Sequence, residues 1–171
     1  MVAGTLQFPA ANIITEAANL VLDGSGPGQV RDQLGNNGLA SLAAVDAAGT
    51  LTLQNGYALN TTASLRNSGY LLLDTTSQLN VSGDYTQDAA ATLETQLGGA
   101  GGPSGQLSVA GAANLGDTLT LTPVNGYLPS TGDSFAILTY GTCSGTDFTN
   151  PPIGLTESFD DGNGILTVVA Q

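Results

Sequence analysis

Apolar and polar residues alternate with a period of two in many short segments of this chain. Residues 50–53 read TLTL and residues 79–82 read LNVS. Such alternation places apolar side chains on one face of a strand and polar side chains on the other. Gly, Asn and Ser separate the segments, and these residues favour turns. The pattern therefore predicts an all-β chain built from short strands.

The alternation recurs at a spacing of twenty residues in the middle of the chain. Residues 49–68 read GTLTLQNGYALNTTASLRNS, and residues 69–88 read GYLLLDTTSQLNVSGDYTQD. An alignment without gaps superposes their apolar positions. We expect these residues to stack as ladders: Leu51 on Leu71, Leu53 on Leu73 with Leu93 as its next member, and Asn60 on Asn80 as an amide ladder.

A closed unit of about 20 residues that repeats in register is typical of a β-solenoid. Successive units would pair at the ordinary strand spacing of about 4.8 Å. We therefore predict an all-β fold that is a β-solenoid (parallel β-helix) with rungs of about 20 residues and irregular capping ends. A β-sandwich in which the spacing is coincidental is the alternative.

The length of 171 residues suits a single domain. Glycine-rich residues 98–105 lack the Lys and the following helix of a phosphate-binding loop. Residues 29–46 form either an irregular rung or a short capping helix. The predicted organisation of domain 1–171 is an N-terminal cap with irregular rungs (1–48), regular rungs (49–97), a glycine-rich loop (98–105), and C-terminal rungs with closing strands (106–171).

Composition excludes several classes of function. The chain has two basic residues, fourteen acidic residues, no His and a net charge of −12. That charge opposes contact with a phosphate backbone, so nucleic acid is not an expected partner. Without His or Lys, the chain cannot build Ser–His pairs or Schiff bases. The single Cys143 cannot form an intramolecular disulfide. No segment approaches the ~20 apolar residues of a membrane helix, and we expect no cofactor.

Several segments resemble the passenger domains of bacterial autotransporters and related large surface proteins. They read GDYTQ at 83–87, GQLSV at 105–109, GAANLGDTL at 111–119 and GDSFAILT at 132–139. The resemblance covers about residues 49–169 and concerns a repeat pattern rather than a catalytic motif. It implies the last rungs of a parallel β-helix and display outside the cell, in adhesion, aggregation or surface layers.

A polar column is the first candidate for metal binding. Gln54, Asp74, Glu94 and Asn114 lie at successive steps of twenty residues. Stacked rungs would bring the Asp74 and Glu94 carboxylates together, and like charges that face each other are destabilising. Calcium would relieve this repulsion because it prefers several oxygen ligands. The preferred interpretation is an exposed turn in which the acids extend into water, so no metal is expected.

A second oxygen-rich segment begins at Asp160 and Asp161. It is too short for an EF-hand loop, which needs a Glu at its twelfth position. A hairpin turn between Phe159 and Ile165 is the simpler interpretation. Both acids therefore remain secondary candidates for metal binding.

The last segment, residues 164–171, contains no charged residue and no Pro. Such a strand at a sheet edge is a template for pairing with another chain. The alternative is a strand that completes its own sheet. The predicted self-assembly residues are Ile165, Leu166, Thr167, Val168 and Val169.

We expect a non-enzymatic structural protein, extracellular or at the cell surface. Its partners would be copies of itself, joined end to end or by strand exchange into a filament or surface layer. An adhesin or carbohydrate-binding β-helix module, with surface glycans as partners, is the alternative. A polysaccharide-degrading enzyme is disfavoured because only Arg31 and Arg66 could stabilise an oxyanion. Neither arginine is near an acidic cluster in the sequence.

Overall fold

The computed structural model describes residues 4–26, 29–116, 118–143, 148 and 154–171, and these residues contain strands and no helix. The strands form a five-stranded parallel sheet, a ten-stranded mixed sheet and a two-stranded parallel sheet. The strands are β1 (Thr5–Gln7), β2 (Thr15–Glu16), β3 (Asn19–Asp23), β4 (Gln29–Arg31), β5 (Ala44–Val45), β6 (Thr50–Gln54), β7 (Ala58–Thr61), β8 (Leu65–Asn67), β9 (Tyr70–Leu73), β10 (Gln78–Val81), β11 (Tyr85–Gln87), β12 (Thr92–Leu97), β13 (Gln106–Asn114), β14 (Thr118–Pro123), β15 (Ser134–Cys143), β16 (Leu155–Asp160) and β17 (Ile165–Ala170).

The five-stranded sheet has the order β14-β12-β9-β6-β3. Leu51 pairs with Leu71 and Leu53 with Leu73, at the predicted spacing of twenty residues. The prediction that Leu93 continues the Leu53–Leu73 column is wrong, because Leu93 pairs with Leu71. Strand β12 begins twenty-two residues after β9, so Thr95 takes the place beside Leu73. The chain therefore departs from a uniform spacing of twenty after β11.

The ten-stranded sheet has the order β16-β17-β15-β13-β11-β8-β5-β2, with β7 and β10 pairing beside this path. Asn60 pairs with Asn80, and Asn80 Nδ2 donates to Asn60 Oδ1 at 2.9 Å. The next spacing in this column is twenty-eight residues, because β10 pairs with β13 through Leu79 and Leu107. Two of the eight added residues precede β12, and six lie between the starts of β12 and β13, where glycine-rich residues 98–105 are found.

The last two strands change the direction of pairing. Strand β17 pairs antiparallel with both β15 and β16, whereas the other pairs of the ten-stranded sheet are parallel. Strands β16 and β17 form a hairpin whose turn is residues 161–164. This is the turn expected between Phe159 and Ile165. The hairpin ends the sheet at its C-terminal side.

The core combines leucine columns with a few buried amides. Leu51, Leu53, Leu71 and Leu73 are completely buried. Asn67, also fully buried, donates from Nδ2 to the backbone oxygen of Thr92 at 3.1 Å. Buried amides of this kind satisfy backbone groups at the turns, where the strand ladders stop.

Glycines allow neighbouring turns to approach closely. A Cβ atom on Gly69 would lie 2.3 Å from the Asp46 backbone oxygen and 2.4 Å from that of Gly49. Gly69 follows Gly49 by the same twenty residues that separate the leucine pairs. Glycine is therefore required at Gly69 by contact between stacked backbones.

Candidate functional site

The predicted self-assembly residues lie inside a sheet. Ile165–Val169 belong to β17, which pairs with β15 along one edge and with β16 along the other. Leu166 and Val168 are fully buried. The prediction that this segment is an open sheet edge is wrong, because the hairpin turn brings β16 against it. Among the described strands, this end of the sheet is β16, which pairs with β17 only.

The sheets end in strands that pair on one side only among the described residues. The five-stranded sheet ends in β3 and β14, and the main path of the ten-stranded sheet ends in β2 and β16. Beside that path, β7 also pairs with one strand only, β10. Large exposed apolar side chains lie in or near such terminal strands. Ile14 precedes β2 and is 53% exposed, and Leu128 follows β14 and is 82% exposed. Leu6 in β1 and Leu34 after β4 are also exposed. At each end, a terminal strand of a sheet therefore has an exposed apolar side chain within five residues of it in the chain.

The structure does not bring Asp74 and Glu94 together as a metal site. Asp74 follows β9 at the turn, where its carboxylate accepts from the backbone nitrogen of Thr76 at 2.9 Å. Burial alone would raise the pKa of Asp74, but hydrogen bonds from Ser77, Asn55 and Thr76 outweigh it and lower that pKa. The carboxylate therefore closes its own turn.

Glu94 lies in a different column, beside Leu72, because of the two residues added before β12. Its carboxylate accepts from the Tyr70 hydroxyl and from Thr122 Oγ1, the latter at 2.7 Å. Asn114 belongs to the other large sheet, where it pairs with Thr86. In the part of the chain that the structure describes, no three His, Cys, Asp or Glu residues are grouped to hold a metal ion.

Asp160 and Asp161 stabilise the last hairpin. Asp160 Oδ1 accepts from the backbone nitrogen of Gly162 at 3.1 Å, and its Oδ2 accepts from Asn163 Nδ2 at 2.6 Å. The Asn163 hydrogen bonds lower the pKa of Asp160. Asp161 Oδ1 accepts from the Tyr140 hydroxyl at 3.0 Å. Both carboxylates therefore have structural partners.

A cleft of about 280 Å³ lies between β4 and the start of β7. It is lined by Arg31 at the end of β4 and by Tyr57 just before β7, with Gln29, Asn37 and the glycine backbones of Gly24 and Gly56. The period-two pattern does not indicate this cleft, because its walls come from distant segments. The only sequence signal is that Arg31 is one of two basic residues in the chain.

The two arginines have different partners. Arg66 Nε lies 2.6 Å from Asp88 Oδ2, and this is the only salt bridge among the described residues. Arg31 donates to neutral acceptors, from Nε to the Gln29 side-chain oxygen and from Nη1 to the Gly35 backbone oxygen. Arg31 thus brings a positive charge to the cleft wall without a carboxylate partner in the described chain.

Comparisons with protein-family models, with curated proteins and with solved structures find no match to this chain. Within the described ranges, no helix is long and apolar enough to cross a membrane. Two features of the chain itself bear on its function: the terminal strands of the sheets and the Arg31–Tyr57 cleft.

Proposed function

We propose that this chain is a non-enzymatic β-solenoid (parallel β-helix) that joins copies of itself end to end, forming a filament or surface layer outside the cell. One observation carries the proposal: at both ends of the protein, exposed apolar side chains lie close in the chain to terminal strands of the sheets. Unpaired backbone groups beside apolar surface favour addition of another chain.

Parallel pairing between equivalent strands of successive repeats supports the solenoid. Strands β6, β7 and β8 each pair in parallel with the equivalent strands β9, β10 and β11. Each pairing has a spacing of twenty residues. A sandwich is built mainly from antiparallel strands. Here, among the described strands, the antiparallel pairs are those that β17 makes with β15 and β16.

The two ends differ in sequence and in strand direction, which favours a filament over a closed dimer. Strands β2 and β3 end the sheets on the N-terminal side, and β14 and β16 end them on the C-terminal side. Contact between unlike surfaces leaves a free surface on each partner, so the assembly continues. Net charge opposes this contact at low ionic strength, and salt screens the repulsion.

The location outside the cell rests on the resemblance to autotransporter passengers. That resemblance also supports a role in adhesion, aggregation or surface layers. The chain's shortage of His and Lys is consistent with a structural role, because those residues supply most acid–base and nucleophilic chemistry.

The proposal is tested with variants that add one positive charge at each end. Ile14→Lys alters the N-terminal side, Leu128→Lys alters the C-terminal side, and Gln78→Lys adds the same charge at an exposed position within the sheet. Sedimentation velocity and electron microscopy follow each protein over a concentration series at physiological salt. We expect the wild type and Gln78→Lys to form filaments, and each end variant to remain monomeric.

A mixture of the two end variants separates head-to-tail contact from other association. Each variant retains one intact end, so an equimolar mixture should stop at a dimer. A wild type that stays monomeric at every concentration overturns the proposal. Filaments formed equally well by both end variants also overturn it.

A further inference from the structure

We propose that the cleft between β4 and β7 binds a carboxylated sugar unit, a hexuronate, with Arg31 holding the carboxylate and Tyr57 contacting the ring. The cleft lies between β4 and β7, which among the described strands pair only with β1 and with β10. This inference does not depend on end-to-end assembly. It assigns a ligand class to a surface that the proposed structural role leaves unused.

Arg31 supplies the charge that an acidic ligand needs. A guanidinium has five N–H donors in a planar fork that matches a carboxylate. Arg31 uses two of its nitrogens on the Gln29 side chain and the Gly35 backbone oxygen. These neutral acceptors orient the side chain without neutralising its charge. The remaining donors are left for an anion in the cleft.

The neighbouring acids are engaged elsewhere. Asp32 follows Arg31, but its Oδ1 accepts from the backbone nitrogens of Leu34 and Asn36, both at 2.8 Å. Asp23 accepts from Gln54 Nε2 at 2.9 Å and from Ser25. In a chain with net charge −12, the absence of a carboxylate on Arg31 in the described residues leaves it as the local anion site.

Tyr57 supplies a surface for a sugar ring. Its side chain is half-buried and packs against the hydrophobic core, so it lines the cleft as a fixed wall. Burial raises the pKa of the Tyr57 hydroxyl and the charge of Arg31 opposes that change. Because Tyr57 and Arg31 both line the cleft, the phenol and the guanidinium can contact the same ligand.

The volume and polarity of the cleft favour a single sugar ring. Its 280 Å³ lies just below the ~300–1,000 Å³ of pockets that hold drug-sized ligands. Gln29 and Asn37 add amide groups that donate to and accept from hydroxyls. A hexuronate combines the carboxylate, the ring and the hydroxyls that these residues recognise.

Titration of the full-length protein with sodium glucuronate, glucose and sodium acetate tests this proposal. Amide chemical shifts of Gly24 and Gly56 report binding, because both residues line the cleft. We expect glucuronate to bind at least tenfold more tightly than glucose or acetate, and binding to weaken as salt increases. Arg31→Gln should remove binding, and Tyr57→Leu should weaken it at least threefold.

Arg66→Gln is the matched control, because Arg66 is exposed and paired with Asp88 outside the cleft. It should leave glucuronate affinity unchanged. Arg31→Lys keeps the charge but loses the fork, and it should bind more weakly than wild type even if Arg31→Gln fails to fold. Equal affinity for acetate and glucuronate would overturn the assignment to a sugar. The role of Arg31 would be overturned if folded Arg31→Gln or Arg31→Lys bound glucuronate as tightly as the wild type. The site itself would be overturned if the wild type did not bind glucuronate.

Discussion

Gln87 and Gly116 are in direct contact in the core. Gln87 Nε2 donates to the Gly116 backbone oxygen at 2.6 Å, and a Cβ atom on Gly116 would lie 2.6 Å from the Gln87 backbone oxygen. Gln87 is 4% exposed. The glutamine side chain therefore connects the end of β11 to Gly116, which lies between β13 and β14.

Replacing Gln87 with Leu should lower the free energy of unfolding by about 2–4 kcal/mol, because it leaves buried backbone carbonyl groups without a hydrogen-bond donor. Besides Gly116, the side chain donates to the Thr118 backbone oxygen at 2.9 Å and accepts from the Tyr85 hydroxyl at 3.0 Å. Urea unfolding monitored by circular dichroism measures the effect. Gln78→Leu is the control, because Gln78 is exposed. Equal stability of the two variants would contradict a structural role for the buried amide.

Gly69→Ala should destabilise the fold by about 1–3 kcal/mol, the usual effect of overpacking. The added methyl group would overlap the backbone oxygens of Asp46 and Gly49. Gly4→Ala serves as the control, because nothing lies within 4 Å of a Cβ atom there. Thermal unfolding compares the two variants. A Gly69→Ala variant with the wild-type melting temperature would show that the stacked turns separate easily.

The sequence predicts which residues pair where the spacing of the repeats is uniform. It does not predict the strand register where a turn changes length. Leu51 and Leu71 pair as expected because the segments between them align without gaps. A shift of two residues keeps Leu93 on the buried face, so alternation alone does not distinguish Leu71 from Leu73 as its neighbour. Only the length of the turn before β12 decides this.

The Arg31–Tyr57 cleft depends on a departure from the repeat. The segment between β4 and β5 contains an additional loop, and Asn37 in this loop forms an isolated antiparallel bridge with Arg31 at the end of β4. This loop has no equivalent in the uniform repeats, so the twenty-residue periodicity does not predict it. The alternation of apolar and polar residues also does not predict the order of the last strands, because an uncharged strand suits the middle of a sheet as well as its edge.

Glu16→Gln should stabilise the protein at neutral pH by about 1 kcal/mol, because it removes a buried charge that is incompletely hydrogen-bonded. Glu16 is 4% exposed, and its Oε2 has no hydrogen-bond partner in the described chain. Burial raises the pKa of Glu16 above its usual 4.5, despite a hydrogen bond from the Ala18 backbone. The contribution of the Glu16 titration to folding stability is therefore fully present below pH 4.5 and is lost as pH rises through the folded-state pKa of Glu16.

Urea unfolding of Glu16→Gln and wild type at several pH values measures this difference. The gain should be largest at pH 7 and should shrink towards pH 4. Asp32→Asn is the contrasting variant, because hydrogen bonds from Asn36 lower the pKa of Asp32. Its loss of stability should appear above pH 3.8 and vanish in acid. A constant difference between Glu16→Gln and wild type from pH 4 to pH 7 would contradict a charged, buried Glu16.

The tyrosines should make the fold sensitive to alkaline pH. Burial, together with a hydrogen bond to a carboxylate, raises the pKa of Tyr70, Tyr127 and Tyr140 to about 12. Each hydroxyl donates to an acid: Tyr70 to Glu94, Tyr127 to Asp133 and Tyr140 to Asp161. Because these folded-state pKa values exceed the unfolded value of 10, the contribution to stability is complete below pH 10 and is lost between pH 10 and about 12.

Absorbance of the phenolate at 295 nm, recorded with circular dichroism, follows this transition. At pH 11 each of these native tyrosines should be about one-tenth ionised, whereas a free tyrosine would be about nine-tenths ionised. Glu94→Gln should lower the pKa of Tyr70 because it removes the negative charge beside the hydroxyl. Tyr70→Phe should remove one late-titrating group without changing the others. Ionisation of all the tyrosines near pH 10 while the fold remains intact would contradict these three hydrogen bonds.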